Sequence, residues 1–247
     1  MAARILLLGG TAEARQLARQ LIDTGHDVTS SLAGRVPNPR LPAGAVRIGG
    51  FGGVDGLRNA AVDYDVVVDA THPFAAGITR NAALACLTGE SRRPLLRLER
   101  PGWGARSGPL WHWVDDHDEA AARAGELGTR QVLTVGRQRL SEFVPVLREH
   151  DVVARVVDER SLDLPDRWQV IADRGPYQLA AETALLCAHR ADVLVTKDSG
   201  GEYTWPKMQA ADELGIPVVV IRRPASPPDL QTVHSVESVM GWLQTLT

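Results

Sequence analysis

Short runs of β-branched residues and leucine alternate along the chain with longer Ala-rich stretches whose apolar positions recur at three and four. Four or five apolar residues bounded by Gly, Pro or Asp read as a buried strand, and the 3.6-residue period reads as a helix laid against a sheet. This predicts strands at Arg4 to Leu8, Asp27 to Ser31, Val46 to Ile48, Val66 to Ala70 and Pro94 to Leu98. Helices fall near Glu13 to Thr24, Val54 to Val62 and Phe74 to Leu87. After Trp111 to Val114 the alternation restarts, with strands at Gln131 to Val135, Val152 to Val157, Trp168 to Ala172, Val193 to Thr196 and Pro217 to Arg222. The helices there are near Glu119 to Leu127, Leu140 to Glu149, Gln178 to His189 and Met208 to Leu214. About ten strands are more than one compact sheet usually holds. The pattern therefore predicts an α/β protein of two Rossmann-like lobes with mostly parallel sheets, residues 1–104 and 105–247, divided in the Gly/Pro/Trp-rich segment Pro101 to Leu110.

Composition narrows the function. A hydrophobic share of 44% over 247 residues can build two cores, and a net charge of −3 argues against bulk nucleic-acid binding, which needs a basic face. No stretch reaches the ~18 apolar residues of a membrane span, and the apolar run in MAARILLLGG is too short for a signal segment, so a cytoplasmic location is expected. Cys86 and Cys187 lack the paired spacing of a metal or redox site; both are expected to be buried core thiols, and no metal site is expected. Of 27 basic residues only Lys197 and Lys207 are lysines, which singles them out where arginine is otherwise the rule.

At the first strand-to-helix turn, Gly9 and Gly10 precede Thr11, Ala12 and Glu13, which open a helix. Glycines there let a pyrophosphate approach free backbone N–H groups and the positive end of the helix dipole. The turn lacks the full GxGxxG fingerprint, and a plain tight turn is the alternative reading. NAD sites usually place an Asp or Glu at the end of the second strand to bind the ribose 2′-hydroxyl. This chain has Ser30, Ser31 and Arg35 instead, donors suited to a 2′-phosphate and hence to NADPH; a solvated loop is the alternative. Gly50, Phe51 and Gly52, after the third strand, could bring backbone close to the same cofactor.

Taken together, LLLGGTAEAR, SSLAGRVPNPRLPAGAVRIGGFGGVDGL and DVVVDATHPFA resemble the precorrin-6A reductases of cobalamin biosynthesis, a family that includes cobalt-precorrin-6A reductases. Further on, LLRLERPGW, VLTVGRQRL and VLVTKDSGG follow in the order of that family, so the resemblance spans nearly the whole chain. It implies two Rossmann-like lobes with the active site in the cleft between them, NADPH as reductant, and saturation of one macrocycle double bond to convert precorrin-6A to precorrin-6B. It leaves open whether the substrate is metal-free or carries cobalt, and says nothing of the oligomeric state.

A flat tetrapyrrole with many carboxylates needs dispersed cationic donors, and Arg97, Arg100, Arg137, Arg139, Arg174 and Lys197 stand at strand ends or adjacent loops. Trp103, Trp111, Trp113 and Trp205 could cover the macrocycle or pack in the core. The expected nicotinamide neighbours are Thr71 and His72, after the fourth strand, and the equivalent position in the second lobe carries Lys197, Asp198, Ser199 and Gly200 as substrate ligands. Lys197 and His72 are the catalytic candidates. Two rival readings are a short-chain-dehydrogenase-like carbonyl reductase and a non-catalytic NADP-sensing protein. The first rests on Tyr203-x-x-x-Lys207, but Pro206 interrupts the helix that would align the pair, and Lys207 is expected to be solvated or paired with Glu202.

Overall fold

In the computed structural model, which describes residues 2–34, 39–89, 92–158 and 163–246, the chain forms two compact units. The first comprises Met1–Pro101 and Pro224–Thr247, the second Gly102–Arg223. In chain order the strands are β1 (Arg4–Leu8), β2 (Asp27–Leu32), β3 (Ala45–Ile48), β4 (Val66–Asp69), β5 (Leu95–Leu98), β6 (Trp111–Val114), β7 (Arg130–Thr134), β8 (Asp151–Val156), β9 (Trp168–Ala172), β10 (Val193–Lys197), β11 (Val218–Ile221) and β12 (Thr232–Val233). The helices are α1 (Ala12–Asp23), α2 (Val54–Ala61), α3 (Ala76–Leu87), α4 (His117–Leu127), α5 (Val144–Leu147), α6 (Leu179–His189), α7 (Pro206–Glu213) and α8 (Val236–Gln244).

Each unit contains one six-stranded, all-parallel sheet, in the orders β3-β2-β1-β4-β5-β12 and β9-β8-β7-β10-β11-β6. The two orders are the same doubly wound arrangement, except that each takes its sixth strand from a distant part of the chain. Strand β6 follows β5 in sequence but pairs with β11, and β12 follows β11 but pairs with β5. The predicted boundary therefore needs correction at its far end: residues 224–247, assigned from the sequence to the second lobe, complete the first unit.

Parallel sheets are covered on both faces, so their central strands read as unbroken apolar runs. Alternate residues of β1 serve opposite faces. Ile5 and Leu7 pack with Leu17 and Leu21 of α1 and with Val239 and Leu243 of α8, whereas Leu6 and Leu8 pack with Leu57 of α2 and Cys86 of α3. Cys187, expected in a core, is exposed on α6. Helix α3 starts two residues later than predicted, because Pro73 and Phe74 form a turn closed by the Ala75 N–H on the His72 carbonyl at 2.7 Å. The predicted helix Leu140 to Glu149 is a 3₁₀ stretch, Arg137–Glu142, followed by the single turn of α5 with Pro145 in its first positions. Proline donates no N–H and its ring crowds the preceding turn, so a helix is kinked or broken there.

Helix α8 was not anticipated, yet it closes one face of the first core, capped by the Ser235 hydroxyl accepting from the Ser238 N–H at 3.1 Å. Leu243→Ala should therefore destabilise the first unit by about 2–3 kcal/mol, the lower part of the range for a buried leucine. Urea unfolding of the full chain measures this; a loss under about 0.5 kcal/mol, the scale of a surface substitution, would mean that α8 is a loosely attached terminus.

Candidate functional site

In both sheets the chain winds outward from a central strand, then reverses. Strand β1 lies between β2 and β4, and β7 lies between β8 and β10. At such a switch point the connections leave to opposite sides, and the carboxyl ends of the two adjacent strands stay uncovered for a ligand. The first switch point brings together Gly9 to Glu13, after β1, and Ala70 to His72, after β4. The second brings together Val135 to Arg137, after β7, and Lys197 to Gly200, at and after β10.

At the first, Gly10 has φ +116°, and a β-carbon on it would meet nothing within 4 Å. A β-carbon on Gly49, Gly50, Gly52 or Gly53 would likewise meet nothing within 4 Å, so the backbone around Phe51 is bare as well. Thr11 caps α1: its hydroxyl accepts from the Ala14 N–H at 3.0 Å and donates to the Ala70 carbonyl at 2.9 Å, tying the ends of β1 and β4 together. The hydroxyl is thereby committed to the fold. The N–H groups of Ala12 and Glu13, at the start of the helix, have no carbonyl one turn behind them. The Glu13 carboxylate is paired with Arg100 at 2.9 Å.

Beneath this turn lies a buried polar network. Asp69, fully buried at the end of β4, accepts from the Thr71 N–H (3.0 Å) and hydroxyl (2.6 Å), from the Thr79 hydroxyl (2.6 Å) and from Arg97 (3.3 Å). Arg97 also donates to Thr79 and, at 2.9 Å, to Glu99. Arg97 is thus an internal strut, not the substrate donor expected, and Thr71 is held by Asp69. His72 accepts the Phe74 N–H at Nδ1 (3.2 Å), so a neutral ring carries its proton on Nε2.

At the end of β2 the two serines separate. Ser30 stands beside Leu7 and Ser31 beside Leu8, so their hydroxyls lie on opposite faces of the sheet. The Ser30 hydroxyl is buried with no partner among the described residues, whereas Ser31 Oγ accepts from Arg47 at 2.8 Å. Arg47 was missed from sequence; parallel pairing of β2 with β3 sets it directly beside Ser31. Arg35 lies outside the described residues.

At the second switch point a β-carbon on Gly136 (φ +80°) would stand 3.6 Å from Lys197 Nζ, so the ammonium crosses above the end of β7. Desolvation, then the charge of Arg139, pushes the Lys197 pKa down to about 8. His117, at the start of α4, was not anticipated. Burial, then Arg139 and Lys197, pushes its pKa down to about 4, and its ring is neutral at neutral pH. Arg137 is half-exposed and 3.4 Å from Asp158. Asp198, an expected substrate ligand, also holds the fold: its carboxylate accepts from the Trp103 N–H at 3.0 Å and lies 3.3 Å from Arg223. It thereby fastens both ends of the second unit.

The comparisons with known proteins give the family. Residues 4–244 match the profile of the family "Precorrin-6x reductase CbiJ/CobK". The chain belongs to that family. A precorrin-6A reductase of Rhodococcus erythropolis is 51% identical over 99% of this chain and 98% of that one, and one of Mycobacterium tuberculosis is 46% identical over 98% of each. A cobalt-precorrin-6A reductase of Priestia megaterium is 31% identical over 89% of this chain and 90% of that one. The solved structure of a CobK precorrin-6A reductase superposes with a TM-score of 0.90 at 37% identity, covering 99% of this chain and 97% of that one.

For a member of the precorrin-6x reductase family, the tyrosine–lysine pair is incidental. Tyr203 lies in the turn before α7 and Lys207 in its first turn, so no shared helix face aligns them. Lys207 is not solvated, as the sequence had suggested, nor paired with Glu202, which binds Arg106. It is buried with Nζ 5.3 Å from the Trp103 ring centroid. Trp103 is itself core and edge-on to Trp205, so it does not cover a ligand.

Among the described residues, Asp69 carries most of the first switch point. Asp69→Ala should cost about 3–5 kcal/mol, since it strands a buried guanidinium. Asp69→Ala combined with Arg97→Met should recover part of that loss in urea unfolding. A single-variant loss below about 1 kcal/mol would mean that Glu99 and Thr79 alone satisfy Arg97.

Proposed function

We infer that the chain reduces one macrocycle double bond of metal-free precorrin-6A to give precorrin-6B, a step of cobalamin biosynthesis, with NADPH as reductant. The reading rests on one observation: the same crevice occurs once in each unit, bare and glycine-lined in the first, carrying a lysine in the second. The first suits an anionic dinucleotide and the second an anionic macrocycle. The stronger likeness to precorrin-6A reductases, 46–51%, than to a cobalt-precorrin-6A reductase, 31%, supports the metal-free substrate.

The residues of the first unit fit the cofactor. The open space at Gly10 admits a pyrophosphate to the N–H groups of Ala12 and Glu13, where the dipole of α1 favours negative charge. Ser31 stands where an NAD site carries an acid, and the backbone at Gly50, Phe51 and Gly52 follows the neighbouring strand β3. Thr71 and His72 flank the nicotinamide position. When bound, NADPH supplies a hydride to one carbon of the double bond.

The other carbon takes a proton, and Lys197 holds it. An ammonium with a pKa near 8 is charged at neutral pH yet gives up its proton more readily than an ordinary lysine. Before that step the same charge attracts a substrate carboxylate, together with Arg137 and the backbone of Ser199 and Gly200. Neutral His117 adds no competing charge.

The test is turnover of NADPH with precorrin-6A and, separately, with its cobalt complex, followed by ring absorbance. The metal-free substrate should react with the higher kcat/KM, and preference for the cobalt complex would overturn that part of the reading. Because the ammonium is the active form, kcat/KM should fall as pH rises through about 8. Lys197→Met should remove that limb and lower kcat/KM by about 1.5–3 kcal/mol, the range for a charged hydrogen bond. An unchanged pH profile in that variant would assign the proton to another group.

A further inference from the structure

Arg47 is a basic side chain not singled out from sequence. It sits on β3, in register with Ser31 on β2, on the sheet face that also holds Leu8. Its Nη1 donates to Ser31 Oγ at 2.8 Å and to the Gly49 carbonyl at 3.3 Å, and its Nη2 donates to the Gly50 carbonyl at 3.2 Å. The guanidinium lies 3.8 Å from the centroid of the Phe51 ring. Stacked on one face and bonded along one side, the fork has little freedom left. It stands at the carboxyl end of the strand next to β1, bordering the bare backbone of Gly49 to Gly53.

We infer that Arg47, braced by Phe51 and Ser31, is the side chain that distinguishes the 2′-phosphate of NADPH from the 2′-hydroxyl of NADH. This rests on the NADPH reading above and adds the residue that performs the discrimination. In a doubly wound sheet the adenosine ribose lies over the end of the second strand, where an acidic side chain would accept from a 2′-hydroxyl. Here that place carries a fixed cation. A guanidinium has five N–H groups; three are donated to Ser31, Gly49 and Gly50, and two remain for phosphate oxygens. Stacking on Phe51 fixes the plane of the fork in advance, so little side-chain entropy is lost when a dianion binds. Ser31 contributes through Arg47, while Ser30, on the other face, has no part in reading the phosphate.

The experiment is calorimetric binding of two small probes, adenosine 2′,5′-bisphosphate and adenosine 5′-monophosphate, followed by NADPH and NADH, to the full chain. In the wild type the bisphosphate should bind more tightly. Arg47→Ala should weaken the bisphosphate and NADPH about 10- to 150-fold, the equivalent of a lost charged hydrogen bond, and leave the monophosphate and NADH within about twofold. Because Arg47 also holds the Gly49 and Gly50 carbonyls, Arg47→Gln serves as the second variant; it keeps an amide donor but removes the charge, and should show the same selective loss. Equal weakening of all four ligands in both variants would make Arg47 a prop for the turn and overturn the inference. So would undiminished discrimination in Arg47→Gln, or discrimination lost only in Arg35→Ala. A wild type that binds both probes equally would overturn the NADPH reading itself.

Discussion

Adjacent parallel strands whose connections leave to opposite sides of a sheet cannot cover one another's carboxyl ends, and the fold leaves that opening wherever the winding reverses. Here it occurs twice, between β1 and β4 and between β7 and β10. What differs is the lining: glycine backbone and a helix N-terminus in the first, a desolvated ammonium above Gly136 in the second.

An opening of this kind needs a firm floor. In the first unit it is the Asp69–Thr79–Arg97 network, with the Thr11 hydroxyl bridging β1 to β4. The second unit has a buried pair of its own, Arg155 with Glu182, under the ring of Tyr177. Buried charges of this sort are costly to desolvate and contribute little net stability over apolar packing. Their value here is geometric, since each bond fixes where one strand end stops. Asp198 does the same for the chain itself, fastening Trp103 where the second unit begins and Arg223 where it ends.

Much of this was legible in sequence because a parallel sheet writes itself as apolar runs. RILLL, VVVD, VLVTK and VVVI each lie within one or two residues of a predicted strand, and the Gly9-Gly10 turn falls where the pattern put it. The exchange of sixth strands was not legible: β12 is two residues long, and its pairing with β5 spans more than a hundred residues, beyond any local signal. Helix α8 could have been found from Ser235 ahead of Val236, Val239 and Leu243. Arg47 could not, because only strand register brings it to Ser31. Nor could the burial of Lys207 be read, since Pro206 correctly marked a helix start, where a cation is ordinarily solvated. The role of Arg97 was misjudged for the same reason: position at a strand end does not reveal whether a charge faces the crevice or the floor.

The proposed chemistry divides the two ligands, with the dinucleotide at the first switch point and the macrocycle at the second. Backbone hydrogen exchange of the full chain, with and without saturating NADPH, tests it most directly. Exchange should slow at Ala12 and Glu13 and across Gly49 to Gly53, with no comparable change at Gly136 or from Lys197 to Gly200. Protection by NADPH at Gly136 and Lys197 to Gly200, with the first unit unchanged, would contradict it.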